Sequence, residues 1–399
     1  MADFSEVLAH HYLQALELAA ATGDTAQADE LAVPARQFLA LAGERALGLD
    51  TVQAEMRLAR ALELTPLDDP DRPELLVRWA EAAFQVGLLR GSVAALEDAL
   101  TSLRARAEPE TLGRALQLRS RVALRLGEDR MVPLAREAIE LLERQPPARE
   151  LVAAHAELAC AQTLAGACAE AVDAADDARA LAAKLGLPEP GRAVSYRGYA
   201  RVLSGDANGL AEMERALELL VEQGAGRDAA ILQNNLAVAR YPLEGRGSSL
   251  SAFEEAIAFC QQRGLGESAA LCESNCPGLL VELGRPEEAL ERAARLAALT
   301  EASGDTHSLA EARAVELAVR LARGEDGTRA EAEWLVEATE TSGSADVTIV
   351  TLVAAVGGFV SQTPADARAL LATVEQFASG RETTYYARHL PAMPRSGSD

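Results

Sequence analysis

Glycine recurs along this chain at a nearly constant step: Gly48, Gly87, Gly127, Gly166, Gly205, Gly245, Gly284 and Gly324. Every interval is 39 or 40 residues. A period of this length marks a repeat array, in which one supersecondary unit is copied and stacked. Each unit of such an array packs on its neighbours, so the core grows along one axis. A chain of 399 residues therefore need not divide into separate globular domains.

The residues around each glycine identify the unit. Trp79, Ala80 and Ala83 precede Gly87, and Ser92, Leu96 and Ala99 follow it. Steps of three and four place each trio on one helical face. Gly87 falls between the two faces, where a helix ends and the chain reverses through the left-handed conformation that glycine tolerates. The unit is a helical hairpin. Leu158 and Ala159 before Gly166, with Ala171, Ala175 and Ala178 after it, repeat the pattern, as do Ala289, Ala293 and Leu296 after Gly284. Ala54, Leu58 and Ala61 form the same face after Gly48. Pro286 suits the first turn of its helix and Glu287 and Glu288 suit the positive end of its dipole. Breaks at 65–70, 145–147, 186–191, 222–226 and 302–305 gather Pro, Gly and Asp and separate the hairpins. Two units look degraded: Pro133 disturbs the one at Gly127, and residues 241–249 read as a longer, glycine-rich turn.

Small residues paired about a central glycine, with proline after the second helix, resemble the tetratricopeptide repeat, lengthened here from the usual unit. Units this long are similar to those in the C-terminal sensor regions of bacterial signal-transducing ATPases, including regulators with a class III adenylyl cyclase domain. The opening run at 7–18 looks like the helix that follows the ATPase module in those proteins, and Gln233–Ala237 (QNNLA) is a phrase common in such arrays. The resemblance implies a sensor module working with an ATPase or cyclase domain in cis or in trans. The chain departs from that family in carrying no ATPase or cyclase domain of its own, and it ends at 385–394 where such arrays normally continue. It reads as a shortened product or a segment.

The expected fold is all-α: a right-handed solenoid of tetratricopeptide-like hairpins occupying 1–390. It comprises an N-terminal helical cap at 1–30, about eight hairpins over 31–363 and a C-terminal helix at 364–390. A tail at 391–399, poor in apolar surface, is expected to be disordered.

Charge and composition exclude several functions. The net charge is −23 and no run of basic residues appears, which argues against nucleic acid or an anionic membrane as partner and in favour of a basic one. Of 38 basic residues only Lys184 is lysine, and it does not sit in a phosphate-binding glycine loop. The longest apolar run, 347–360, is too short to span a bilayer and reads as a buried helix. Five cysteines in helical segments form no disulfide framework, and 1–6 lacks the features of a secretory signal, so a cytoplasmic location is expected.

Few residues suggest chemistry. His10 and His11 are adjacent and diverge by about 100° on a helix, which suits one metal ion poorly. His155, His307 and His389 are isolated in sequence. Cys272 and Cys276 share a helix face but have no further ligands near them, and buried cysteine is a common core residue. Acidic pairs such as Asp176–Asp177 are explained by solvated faces and helix starts. No catalytic residue, metal site or cofactor follows from these patterns, and the chain reads as a non-catalytic module.

The strongest candidate is a polar set repeated before three successive glycines. Tyr196, Arg197, Tyr199 and Arg201 precede Gly205; Asn234, Asn235 and Arg240 precede Gly245; Ser274 and Asn275 precede Gly284. First helices of stacked hairpins line a concave surface, where Asn and Arg can hold peptide backbone or carboxylate. Two placements remain open: a continuous groove for a protein segment, peptide or small effector, or contacts to the neighbouring hairpin and water. The functional expectation is a protein- or effector-binding regulatory module, the alternative being a free-standing scaffold acting in trans.

Overall fold

The computed structural model describes residues 4–47, 50–106, 108–126, 128–325, 327–340, 345–360 and 363–379. These form helices α1 (Ser5–Thr22), α2 (Thr25–Ala46), α3 (Thr51–Glu63), α4 (Arg72–Gln85), α5 (Leu89–Arg106), α6 (Pro109–Arg125) and α7 (Met131–Leu142). There follow α8 (Arg149–Leu164), α9 (Cys168–Leu185), α10 (Gly191–Leu203), α11 (Asn208–Glu222), α12 (Gly226–Glu244) and α13 (Arg246–Gln262). The last are α14 (Gly266–Glu282), α15 (Pro286–Ser303), α16 (Thr306–Ala322), α17 (Arg329–Glu340), α18 (Ala345–Val360) and α19 (Pro364–Ser379). Among the described residues there is no strand, and the chain is an all-α helical-repeat solenoid.

The ladder glycines are the turns. Gly87, Gly166, Gly205, Gly284 and Gly324 all take φ between 71° and 91°. After each, the next amide donates to the carbonyl five residues back, as Leu88 N–H does to Ala83 at 2.7 Å, closing the helix in the left-handed cap. Gly48 and Gly127 lie outside the described residues. A second, interleaved ladder closes the other ends of the hairpins: Gly186, Gly224, Gly264 and Gly304, at φ 66°, 70°, 67° and 83°.

The packing faces read from the sequence are buried: Ala54, Leu58, Ala61, Ala80, Ala83, Leu96 and Ala99 are all fully covered. Small residues bring the helices close enough for side chains to bond across the hairpin. Ser92 Oγ donates to the Ala80 carbonyl at 2.8 Å, and Ser249 Oγ to Ala237 at 2.9 Å, each spanning 12 residues. At α10–α11 the approach is closer still: a Cβ on Gly198 would lie 2.8 Å from the Gly209 carbonyl oxygen.

Several expectations need correction. The turn at 241–249 is not long: α12 runs to Glu244, α13 begins at Arg246, and Gly245 alone reverses the chain at φ 93°, ψ 174°. Pro133 falls in the first turn of α7, where its missing N–H leaves no bond unmade, although the helix is short at 12 residues. The boundary placed near residue 30 falls inside α2. The apolar run at 347–360 lies in α18, which buries Ile349, Leu352, Ala355, Val356 and Phe359 against α16, α17 and α19. Among the described residues no helix is long and apolar enough to cross a membrane. Residues 380–399, including the tail expected to be disordered and His389, lie outside the described residues.

The solenoid curls until distant repeats meet. Thr51 Oγ1 donates to the Gly264 carbonyl, and Gly266 sits so close to Val86 that a Cβ there would be 2.9 Å from the Val86 oxygen. α4 touches α14, and α6 touches α16. The first helices of the hairpins thus face inward around a central cavity that is partly open.

Candidate binding cavity

Seven inner helices (α4, α6, α8, α10, α12, α14 and α16) wall that space, joined by Met131 at the start of α7. α6 and α8 contribute their C-terminal halves, through Arg121, Arg125, Glu157 and Cys160. α10, α12, α14 and α16 contribute mainly their N-terminal halves, through Arg192, Arg227, Glu267, His307 and Glu311, with Tyr199 and Val238 further along. The cavity measures about 80 Å³, room for roughly five waters.

A chain of alternating charges runs around the wall. Glu157 Oε2 accepts from Arg121 Nε and from Arg192 Nη2, both at 2.8 Å. Arg192 Nη1 donates to Asp228 Oδ1 at 2.7 Å, and Arg227 approaches Asp228 at 4.0 Å and Glu267 at 3.4 Å. Glu267 in turn faces Arg125 Nε at 3.3 Å. Arg125 donates onward to Asp305 and, at 2.6 Å, to Ser308 Oγ. Arg227 also lies 4.8 Å from the centre of the Phe84 ring, a cation–π contact between α12 and α4. Charges buried this deeply persist only when paired.

The pairing sets the protonation states. Burial pushes Glu157 up, but Arg192 and Arg121 hold it below its ordinary value, and burial of Asp228 is likewise outweighed by Arg192, Arg121 and Arg227. At Asp305 burial wins over Arg125 and raises the carboxyl. His307 is driven well down by burial and by Arg125, so the imidazole is neutral. Burial pushes Glu311 up to about 7, against a Ser274 hydrogen bond and Arg125. The Cys160 thiol rises to about 11 by burial.

Some buried polar atoms on this wall have no hydrogen-bond partner among the described residues: Arg125 Nη1, Asn235 Nδ2, His307 Nδ1 and Glu311 Oε2. Buried donors and acceptors are normally satisfied, so an unsatisfied set lining one cavity points to a ligand or ordered water.

The sequence candidates divide in two. Tyr196, Tyr199, Asn234, Asn235 and Asn275 line the cavity. The asparagines form a ladder: Asn275 Nδ2 donates to Asn234 Oδ1 at 3.3 Å, and Asn234 Nδ2 to Asn235 Oδ1 at 3.1 Å. The three arginines do not reach it. Arg197 binds Asp176 on α9 at 2.8 Å and Glu212 on α11 at 2.8 Å; Arg201 binds Asp206 and Glu212; Arg240 binds Glu214 on α11 at 2.8 Å. They strap inner helices to outer ones. Ser274 Oγ is bonded to the Leu271 carbonyl at 2.9 Å and faces an adjoining apolar cavity. Arg121, Arg125, Arg192, Arg227, Glu157, Glu267, His307 and Glu311 were not anticipated. A signal for some of them exists: Arg227, Glu267 and His307 stand 40 residues apart, as do Ile231, Leu271 and Glu311.

Cys272 and Cys276 are buried in α14, where Cys276 Sγ approaches the Cys272 carbonyl at 3.5 Å. Among the described residues no group of three or more His, Cys, Asp or Glu is placed to hold a metal ion. His10 and His11 are exposed on α1, ring centres 5.6 Å apart.

Fold and cavity together define a tetratricopeptide-like helical-repeat protein curled around a central cavity. Solved structures share this fold at low identity. A Rap protein complexed with Competence and Sporulation Factor aligns over 88% of this chain and 100% of its own, at 15% identity and a TM-score of 0.58. The Rap conjugation gene regulator of plasmid pLS20, in complex with the Phr* peptide, aligns over 89% and 98%, at 12% identity and a TM-score of 0.55. No family model matches the chain, and no curated protein matches it by sequence.

Proposed function

We propose that this chain is a non-catalytic regulatory module that captures a short peptide in its central cavity. The observation carrying this reading is the set of buried, unpartnered polar atoms beside the Asn234–Asn235–Asn275 ladder. Asparagine offers a donor and an acceptor on one amide, the complement of a peptide bond. Two proteins of the same fold are recorded with a peptide or a factor bound, which supports the reading. The net charge of −23 favours approach by a basic segment.

At about 80 Å³ the cavity holds a few waters, not a peptide. Capture therefore widens the ring where α4 meets α14 and α6 meets α16, and that movement is the signal passed on. Its receiver, on the resemblance of the repeats to sensor regions, is an ATPase or adenylyl cyclase domain in cis or in trans.

Panning a random linear peptide library against the full chain tests this. Selected peptides should bind at least tenfold more weakly to a variant carrying Asn234→Ala, Asn235→Ala and Asn275→Ala with an unchanged helical spectrum. Peptides that bind both proteins equally, or a library that yields none, overturn the reading.

A further inference from the structure

The central cavity continues into a second one. Val238, Asn275 and Glu311 line both, and beyond them the wall turns apolar: Phe253, Leu279, Val315, Ile349, Val350 and Val353. This annex, walled by α12, α13, α14, α16 and α18, measures about 260 Å³. That is just under the smallest usual ligand pocket of about 300 Å³, so it suits one large side chain or a short alkyl group.

Glu311 stands at the seam, and its charge is the odd one out. The other two carboxylates lining the cavity each face an arginine, Glu157 with Arg121 and Arg192 and Glu267 with Arg125, and behind the wall Asp228 pairs with Arg192 and Asp305 with Arg125. Among the described residues no ion pair reaches Glu311, and its Oε2 is buried without a partner. Glu311 alone among the three carboxylates lining the cavity has no arginine paired with it among the described residues. An unpaired buried carboxylate is costly unless it takes up a proton or a counter-charge.

We propose that Glu311 receives the positive end of an amphipathic ligand, an ammonium or guanidinium group, while the ligand's apolar part fills the annex beside it. This rests on the central cavity being a binding site and names what the site selects. The Glu311 carboxyl has its pKa pushed up to about 7 by burial. A cation on it draws the proton off, so binding at pH 7 releases roughly half a proton per ligand. Affinity falls about tenfold per pH unit below 7 and levels off above it. The groups facing Glu311 are already committed or neutral across that range. Arg125 on α6 is paired, Asp305 on α16 faces Arg125, and His307 is neutral. On α14, Glu267 faces Arg125, and Glu282 is held by Tyr241 and Arg246. Such a cation comes from a peptide, as its amino terminus or a basic side chain, or from a small amine.

Calorimetry on the full chain separates these. The probes are hexylammonium, hexanoate and 1-hexanol, then tri-leucine with a free amino terminus and its N-acetylated form. Hexylammonium should bind at least tenfold tighter than hexanoate or hexanol, release protons, and lose at least tenfold affinity on Glu311→Gln. Free tri-leucine binding tighter than both its acetylated form and hexylammonium assigns the cation to a peptide; hexylammonium binding tighter than tri-leucine assigns it to a small amine. Hexanoate binding as well as hexylammonium, no heat from hexylammonium at millimolar concentration, or an unchanged Glu311→Gln variant overturns the proposal. Library-selected peptides that need the asparagines but ignore Glu311→Gln sink this inference alone. Hexylammonium that needs Glu311 while no peptide needs the asparagines sinks the peptide reading alone.

Discussion

Arg125, the last residue of α6, donates to Asp305, the residue that caps α16, across 180 positions of sequence. Both side chains are almost wholly buried. Arg125 also contacts Glu267 and Ser308, so one guanidinium ties α6 to α14 and α16. A solenoid is held mainly by nearest-neighbour interfaces. This contact is of the other kind, and it fixes the curvature that turns a groove into a cavity.

Removing Arg125 leaves Asp305 and Glu267 without their shared cation. Breaking a buried ion pair on one side costs about 3–5 kcal/mol. Arg125→Ala should lose stability on that order in urea unfolding and show a larger radius of gyration by small-angle X-ray scattering. Adding Asp305→Asn should return part of the stability, because the surplus charge goes with it. Arg125→Ala scattering like the parent would show that the ring is closed by backbone packing at Gly266 and Val86 instead.

Two glycines separate strain from collision. Gly284 has φ 74° and nothing within 4 Å of an added Cβ, so Gly284→Ala meets only the left-handed penalty of about 1–2 kcal/mol. Gly198 is an ordinary helical glycine, but its Cβ would sit 2.8 Å from both the Gly209 oxygen and Met213 Cγ. Gly198→Ala should therefore cost more than Gly284→Ala in thermal unfolding, although Gly284 belongs to the ladder and Gly198 does not. The reverse order would mean that α10 and α11 separate easily.

The hairpins were legible because their cause is local. A glycine at φ above 70° and a small-residue stripe at steps of three and four leave direct traces in sequence, and Gly87 with Ala80, Ala83, Leu96 and Ala99 shows both. The ring closure was not legible, since Arg125 and Asp305 belong to no common motif and their meeting depends on rotations summed over five hairpins. The cavity residues were missed for a related reason. The inward set changes level along the helices, from Arg125 at the end of α6 to Arg227 near the start of α12. Arg197 and Arg201, one turn apart, share the face of α10 turned to α9 and α11, whereas Tyr196 and Tyr199 share the inward face, and Arg240 likewise points to α11. The asparagines lie on the inward face, and those were found.

The buried thiols should be inert while the protein is folded. The thiolate is the reactive form. Burial pushes Cys160 up to about 11 and Cys276 up to about 12, and Cys272 lies well above its ordinary value through Cys260 and burial. Iodoacetamide at pH 8 should leave these thiols unmodified by mass spectrometry until urea unfolds the chain. Rapid labelling of Cys272 or Cys276 in the native state would instead revive a redox role for that pair.

Stability should respond to pH through two opposed groups of carboxylates. Glu311 rises from its ordinary 4.5 to about 7, so between those values the folded protein keeps a proton that the unfolded chain has released. Its contribution is complete below the unfolded value and is lost as pH climbs through about 7, a swing on the order of 3 kcal/mol at 1.36 kcal/mol per unit. Asp305, also raised, contributes a loss of the same sign as pH climbs through its own folded value. Glu157 and Asp228 are lowered, so their contributions hold above their unfolded values and disappear as pH falls toward acid. Stability should therefore peak on the acid side of neutrality. Glu311→Gln has no carboxyl to ionise, so it should remove most of the decline between pH 5 and pH 8 and melt above wild type at pH 8. Parallel melting curves for the two proteins across that range would place the Glu311 carboxyl in contact with solvent rather than on the cavity wall.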